Sequence, residues 1–306
     1  MITNLYIDYS HLCYRTLFMV SSDIKEVGYG IMRHSLLKNI LSSVRKFNPD
    51  KVFICCDSKK NWRKKLFTPY KEHRKEAKEK QDVDWDKFYE TIEEVSDGFM
   101  VAFPFHVIKV PYLEADDIIA SLIRKNEKEE NHIVITSDGD YKQLIQYNNV
   151  KIYDPMKKDF MKTNNPLFDL ELKIIMGDKS DNIPAIALRI GKKTAEKLIE
   201  GEAAYKDQTL SQLLENSEIK KNYDLNTKLI DLRKIPKDLI NLLDKELSEY
   251  KLSSTKGMFQ YFINNGMRDM VSKIEEITRA LSHLNPGAKK EPKTIENSIG
   301  AFAELL

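Results

Sequence analysis

The chain has 306 residues, 42% hydrophobic and 31% charged, and its 49 Lys/Arg and 47 Asp/Glu nearly cancel to a net charge of +2. That is enough apolar material for one large core with a smaller appendage. It argues against a membrane-spanning protein, because no apolar run approaches the length a bilayer requires, and the opening "MITNLYID" lacks the basic and apolar regions of a secretion signal. A soluble, cytoplasmic chain is expected. Its three cysteines, Cys13, Cys55 and Cys56, sit in apolar settings and read as small core residues of a reducing compartment. No second C-x-x-C and no nearby Cys/His pair completes a zinc site with them.

In chain order, "NLYID" (4–8), "KVFICCD" (51–57), "FHVIKV" (105–110), "HIVITSD" (132–138) and "VKIYD" (150–154) are short, β-branched or aromatic and almost free of polar interruptions. Strands covered on both faces read this way. Between them, residues 28–47, 84–103 and 114–130 carry helical periodicity. The alternation predicts an α/β domain over 1–165, with a doubly wound parallel sheet and right-handed crossovers. Residues 166–284 read as helical throughout, with breaks at Gly191, Pro236 and Gly257. "NPGAKKEPK" (285–293) predicts a solvated tether. Beyond it, Ile295, Ile299, Phe302, Leu305 and Leu306 fall near helical spacing. Such a segment either packs back on its own domain or anchors in a partner's groove.

The segment 58–80, "SKKNWRKKLFTPYKEHRKEAKEK", holds ten Lys/Arg against three Glu, with Trp62, Phe67 and Tyr70 interleaved. A lysine-rich helix is ordinarily a solvated face. Beside a strand ending in acid, basic side chains mixed with aromatics instead suit a phosphate backbone and its bases.

The strands end in carboxylates: Asp8 closes the first, Asp57 the second, Asp138 and Asp140 the fourth. In an open α/β sheet these ends line the ligand crevice. "YLEADDIIASL" adds Glu114, Asp116 and Asp117 at a helix start, and "IIMGDKSDNIP" adds Asp178 and Asp181. One acid at a helix N-terminus is explained by capping and the dipole, but three in four positions are not. Eight or so carboxylates with no histidine repel one another unless cations compensate them. All-oxygen ligands select hard ions, Mg²⁺ with Mn²⁺ as a substitute, and this number of acids suits two. Two such ions make a phosphodiester-cleaving centre. "DGD" is not a calcium EF-hand loop, since the later ligands are missing.

"YLEADDIIASL", "TSDGDYKQL", "MGDKSDNIP" followed by "GKKTAEKL", and "LFTPYKEHR" together resemble the signature blocks of the flap endonuclease / 5′-to-3′ exonuclease superfamily. Chain length and "NWRKKLF" are most similar to its T-even phage RNase H branch, and the likeness spans about residues 1–270. The resemblance implies a PIN-like, Rossmann-like sheet plus a helix–hairpin–helix at about 177–200. It also implies metal-dependent removal of RNA primers or 5′ flaps during replication. By motif, Asp8, Asp57, Glu114, Asp116 and Asp138 would hold the first metal, and Asp140, Asp178 and Asp181 the second, with Asp117 one layer further out. Arg63 and Lys71 would lean over the scissile phosphate from a basic arch or bridge (58–85), while Tyr70 and Arg74 line the strand's path. Gly191, Lys192, Lys193 and Thr194 would grip duplex phosphates through the hairpin. The hairpin departs from the family in having Ala185 for a glycine and an extra Arg189 before Ile190. The implied partners are DNA with 5′ flaps or ends, RNA–DNA hybrid, and at a fork a single-strand binding protein or sliding clamp, met by a monomer. A phage-encoded chain of this kind would work in the host cytoplasm.

Three other readings share part of this pattern. A PIN-type ribonuclease has the acidic crevice without the basic segment and hairpin. A non-catalytic, structure-specific DNA-binding protein would keep the grip but lose acids, and all of them are present here. A phosphatase or receiver-like acid cluster fits the sheet alone.

Overall fold

The computed structural model describes residues 1–126 and 128–288. The apolar C-terminal segment from Ile295 onward lies outside the described residues. Six strands form one sheet: Ile2–Asp8 (β1), Lys51–Cys56 (β2), His106–Lys109 (β3), Glu130–Ile135 (β4), Val150–Asp154 (β5) and Asp159–Phe160 (β6). Their order is β3-β2-β1-β4-β5-β6. The first five run parallel, and β6 turns back antiparallel on β5. The chain moves outward from β1 to β2 and β3, then returns to the other side of β1 for β4. The winding direction therefore reverses between β1 and β4, and a crevice at their carboxyl ends follows from that reversal.

Side chains alternate across the sheet as the pleat requires. Leu5, Ile7, Val52, Ile54 and Cys56 join one core, and Tyr6, Phe53, Cys55 and Val134 the other. Adjacent Cys55 and Cys56 thus face opposite sides, both buried, and all three cysteines are free thiols. The first core is covered by helices Tyr9–Met19, Gly30–Phe47 and Trp85–Ala102, together with Met258, Phe262, Ile277 and Leu281 from late in the chain. The second is covered by helix Ala115–Lys125 and by Leu239 and Leu243 of helix Lys237–Glu249. The boundary near residue 165 separates strands from helices but not cores, since helices beyond it complete both. Two smaller clusters lie between: one joins Tyr70 to Leu170, Ile174, Ile183, Leu229 and Ile230, and one joins Ile175, Ile186, Ile190 and Leu198 around the hairpin.

That hairpin follows helix Pro166–Met176, which Asn165 caps by accepting from the Phe168 amide at 3.0 Å. It passes through a 3₁₀ turn at Lys179–Asp181 and enters helix Lys192–Ile199. Gly177 makes the first corner with φ +69°, and a Cβ there would overlap the Ile183 and Pro184 carbonyls. Gly177→Ala is therefore expected to lose at least about 2 kcal/mol of stability; thermal unfolding against the parent chain checks this, and an unchanged midpoint would sink it. Arg189, in the same hairpin, also has a positive φ, +64°. Among the described residues no helix is long and apolar enough to cross a membrane.

Candidate active site

Strand register sets the depth of the first carboxylates. Asp8 lies opposite Cys55, so Asp57 stands two residues beyond it on β2's exit. Ile7 lies opposite Ile135, which puts Thr136 at the level of Asp8 and Asp138 two residues above. Asp8 is consequently buried at the crevice floor, while Asp57 and Asp138 are exposed at its walls. Burial and the charges of Asp57 and Asp138 push the Asp8 carboxyl up to about 7.

Most of these acids are tied to main-chain amides. The Oδ1 of Asp8 accepts from the His11 amide at 3.0 Å, and that of Asp57 from Ala115 at 2.8 Å. The Oδ1 of Asp138 accepts from Asp140 at 2.9 Å, and that of Asp178 from Ser180 at 2.8 Å. Three of them, Asp8, Asp138 and Asp178, are also N-caps, which orients them against the positive ends of their helical turns. In each case one oxygen is committed to the backbone; of the others, that of Asp8 accepts from the Thr136 hydroxyl at 3.3 Å and that of Asp178 faces Lys173.

Two groups of carboxylates offer oxygens within 4.8 Å of one another: Glu114 with Asp116 and Asp117, and Asp140 with Asp178 and Asp181. The second is the trio assigned from sequence to one ion. In the first, burial raises Asp116 well above its ordinary range, with Arg63 pulling down against Asp117 and Glu114. Burial acts on Glu114 in the same direction but loses to Lys71 and Arg63, which hold it at about 2. Every donor in these groups is a carboxylate oxygen, and burial makes Asp116 and Asp140 resist ionisation where they stand. That is the chemistry hard divalent cations fit.

The segment 58–85 holds two short helices, Trp62–Leu66 and His73–Glu79, and brings basic side chains against these acids. Lys71 Nζ donates to Glu114 Oε1 at 2.6 Å and lies 3.7 Å from Asp181, so one ammonium spans both acid groups. Its backbone is left-handed, φ +57°, held by its own amide bonding to the Asp181 carbonyl at 3.0 Å. Arg74, half exposed, donates to Asp181 Oδ1 at 2.5 Å.

Arg63 and Tyr70 depart from the sequence expectation. Arg63 is 2% exposed and makes a two-pronged pair with Asp117, at 2.9 and 2.7 Å. It also donates to Glu114 at 2.8 Å and through Nε to the Leu229 carbonyl at 2.8 Å. Every guanidinium nitrogen is engaged below the acids, so it is a strut under the site rather than a clamp above it. Tyr70, also 2% exposed, gives its hydroxyl to Glu114 at 3.1 Å and its ring to an apolar cluster. No face remains for a base. Asp117 is wholly buried and takes three donors besides the Glu114 amide at 3.1 Å. Gly191, Lys192 and Lys193 are exposed at the start of the Lys192–Ile199 helix, with Thr194 half-buried.

The sequence reading missed Lys173. Its Nζ contacts Asp140 and reaches Asp178 Oδ2 at 2.7 Å, as an internal cation between two acids. The signal was available: it is the lone cation of "PLFDLELKIIM", in the last turn before "GDKSD". Lys173→Ala is expected to lower the ion-free melting point by the equivalent of about 1–3 kcal/mol. Millimolar Mn²⁺ should restore most of it, because an ion then fills the ammonium's place. A deficit of equal size with and without Mn²⁺ would contradict this.

Residues 3–170 match the family described as 5'-3' exonuclease, N-terminal resolvase-like domain. The chain belongs to the 5'-3' exonuclease family. The nuclease is 30% identical over 287 residues to Ribonuclease H of Enterobacteria phage T4, covering 88% of this chain and 94% of that one. It is 26% identical over 299 residues to a 5'-3' exonuclease of Mycoplasmopsis pulmonis, covering 92% and 96%. In fold it resembles the bacteriophage T5 D15 flap endonuclease solved with DNA and metal ions, with TM-score 0.63, 17% identity, and coverage of 81% of this chain and 98% of that one. The six-stranded, mostly parallel sheet is thus the resolvase-like PIN architecture, and the nuclease is a phosphodiesterase.

Proposed function

We propose that this nuclease is a Mg²⁺-dependent 5′ nuclease that removes RNA primers and 5′ flaps from duplex DNA, with Mn²⁺ as a substitute. The carrying observation is the pair of acid groups in one crevice, both within reach of the Lys71 ammonium. Asp8, Asp57, Glu114, Asp116 and Asp138 would hold one ion, and Asp140, Asp178 and Asp181 the other. When bound, the two ions supply an activated water and charge neutralisation at the leaving oxygen. Lys71, which bonds Glu114 and stands 3.7 Å from Asp181, would steady the charge that develops on the reacting phosphate. Arg74 does the same from further out. Asp117 and Arg63 keep Glu114 and Asp116 in place. The amides and side chains of Gly191–Thr194 hold duplex phosphates away from the reacting centre. The working partners are 5′ flaps, 5′ ends and RNA–DNA hybrid, together with a single-strand binding protein or sliding clamp at the fork.

Digestion of 5′-labelled flap, nicked and RNA–DNA hybrid substrates in Mg²⁺, Mn²⁺ or EDTA tests this. Release of short 5′ products in Mg²⁺ and none in EDTA is the expected result. Cleavage that survives EDTA would overturn it, and internal cleavage of single-stranded RNA alone would overturn it in favour of the PIN-type ribonuclease.

A further inference from the structure

Tyr141 follows Asp140 within the 3₁₀ segment Gly139–Gln146. It is 1% exposed, and its ring packs in the core on the Ala115–Lys125 side of the sheet. Its hydroxyl makes no hydrogen bond of good geometry, yet it lies near enough to Asp8 to favour that carboxylate's charged form. Phenylalanine would fill the same space without leaving a polar atom unsatisfied, so packing does not explain the oxygen. Asp8 stands two residues after Tyr6 on β1 and so faces the same side of the sheet as the Tyr141 ring, and its charge leads those bearing on the oxygen. It is therefore a buried donor aimed into the carboxylate floor of the crevice.

Asp8 already accepts from the His11 amide and, at 3.3 Å, from the Thr136 hydroxyl. To serve an ion it must be fully charged in the most buried part of the site. A further neutral donor favours that charged form without competing for the cation's place.

We propose that Tyr141 is a positioning residue of the metal centre: with a divalent ion held by Asp8 and its neighbours, the Tyr141 hydroxyl donates to the Asp8 carboxylate and holds it in its ligating orientation. The proposal rests on the two-ion reading above, and the test separates the two. Mn²⁺ binding is measured by calorimetry on the full chain without DNA, alongside the ion-free melting point, for the parent, Tyr141→Phe and Asp116→Asn. Expected for Tyr141→Phe are an ion-free melting point equal to or above the parent's and Mn²⁺ affinity lowered about tenfold, the usual scale for losing a hydrogen bond that orients a ligand. Cleavage should fall at low Mg²⁺ and recover at high Mg²⁺. Mn²⁺ affinity within twofold of the parent overturns the proposal, whether or not the melting point moves. If Asp116→Asn loses Mn²⁺ while Tyr141→Phe does not, the phenol is idle and the metal site stands. If the parent itself binds no Mn²⁺, both readings fail together.

Discussion

Asp116→Asn is expected to abolish cleavage, by on the order of 10²–10³-fold or more, while DNA binding persists and the ion-free protein becomes more stable. The two effects share one cause. Asp116 is pushed up by burial and by the charges of Asp117 and Glu114, with the Arg63 guanidinium 3.9 Å away. An amide in its place removes a repelling charge but also an ion ligand, and a lost charge-stabilising contact at a reacting centre costs at least this range. Asn keeps an Oδ1 that can accept from the Asp117 amide, which Asp116 does now at 2.7 Å, so the helix start should survive. Single-turnover cleavage, filter binding in Ca²⁺ and thermal unfolding in EDTA read the three outcomes. Near-normal cleavage would remove Asp116 from the metal centre; a fallen melting point would show that its charge is compensated within the protein.

Arg63→Ala should be the most damaging single change to the fold. It strands Asp117 and leaves Glu114 short of one of its two cationic partners. Breaking a buried pair on one side costs about 3–5 kcal/mol, roughly a 10 °C loss in melting point for a chain of this size. Lys71→Ala removes a cation from buried Glu114 but leaves it the Arg63 guanidinium, so it should cost less than Arg63→Ala, about 1–3 kcal/mol, while slowing cleavage. Circular dichroism melts beside single-turnover rates distinguish the two. If Arg63→Ala melted like the parent and lost only rate, the arginine would belong above the phosphate after all.

That contrast shows where the sequence was legible. The five parallel strands stood out because each is a short apolar run covered on both faces, and acids at their ends mark the crevice in any such sheet. β6 did not, because two residues carry no periodicity. Arg63 sits among lysines in "SKKNWRKKLF", and its solvated neighbours Lys64 and Lys65 make the whole run look exposed. Its burial depends on Asp117, 54 positions away, and on a carbonyl at Leu229. Tyr70 is hidden for the same reason, by Leu170, Ile174 and Leu229. Contacts of that span leave no trace in local spacing. Lys173 and Tyr141 lay within readable motifs, but only the folded site shows what their polar ends face.

The amide ties on Asp8, Asp57, Asp138 and Asp178 give the site uneven stiffness. Those four carboxylates move only as the main chain moves. Asp140 and Asp181 are held instead by the ends of long side chains: Lys173 for one, Arg74 and, more distantly, Lys71 for the other. These are spring-like supports, free to lengthen or swing. Within the Asp140–Asp178–Asp181 group, Asp178 is thus the fixed member and its two neighbours the compliant ones. Accommodation of ions of different radius, and of a phosphate arriving between them, falls to those two.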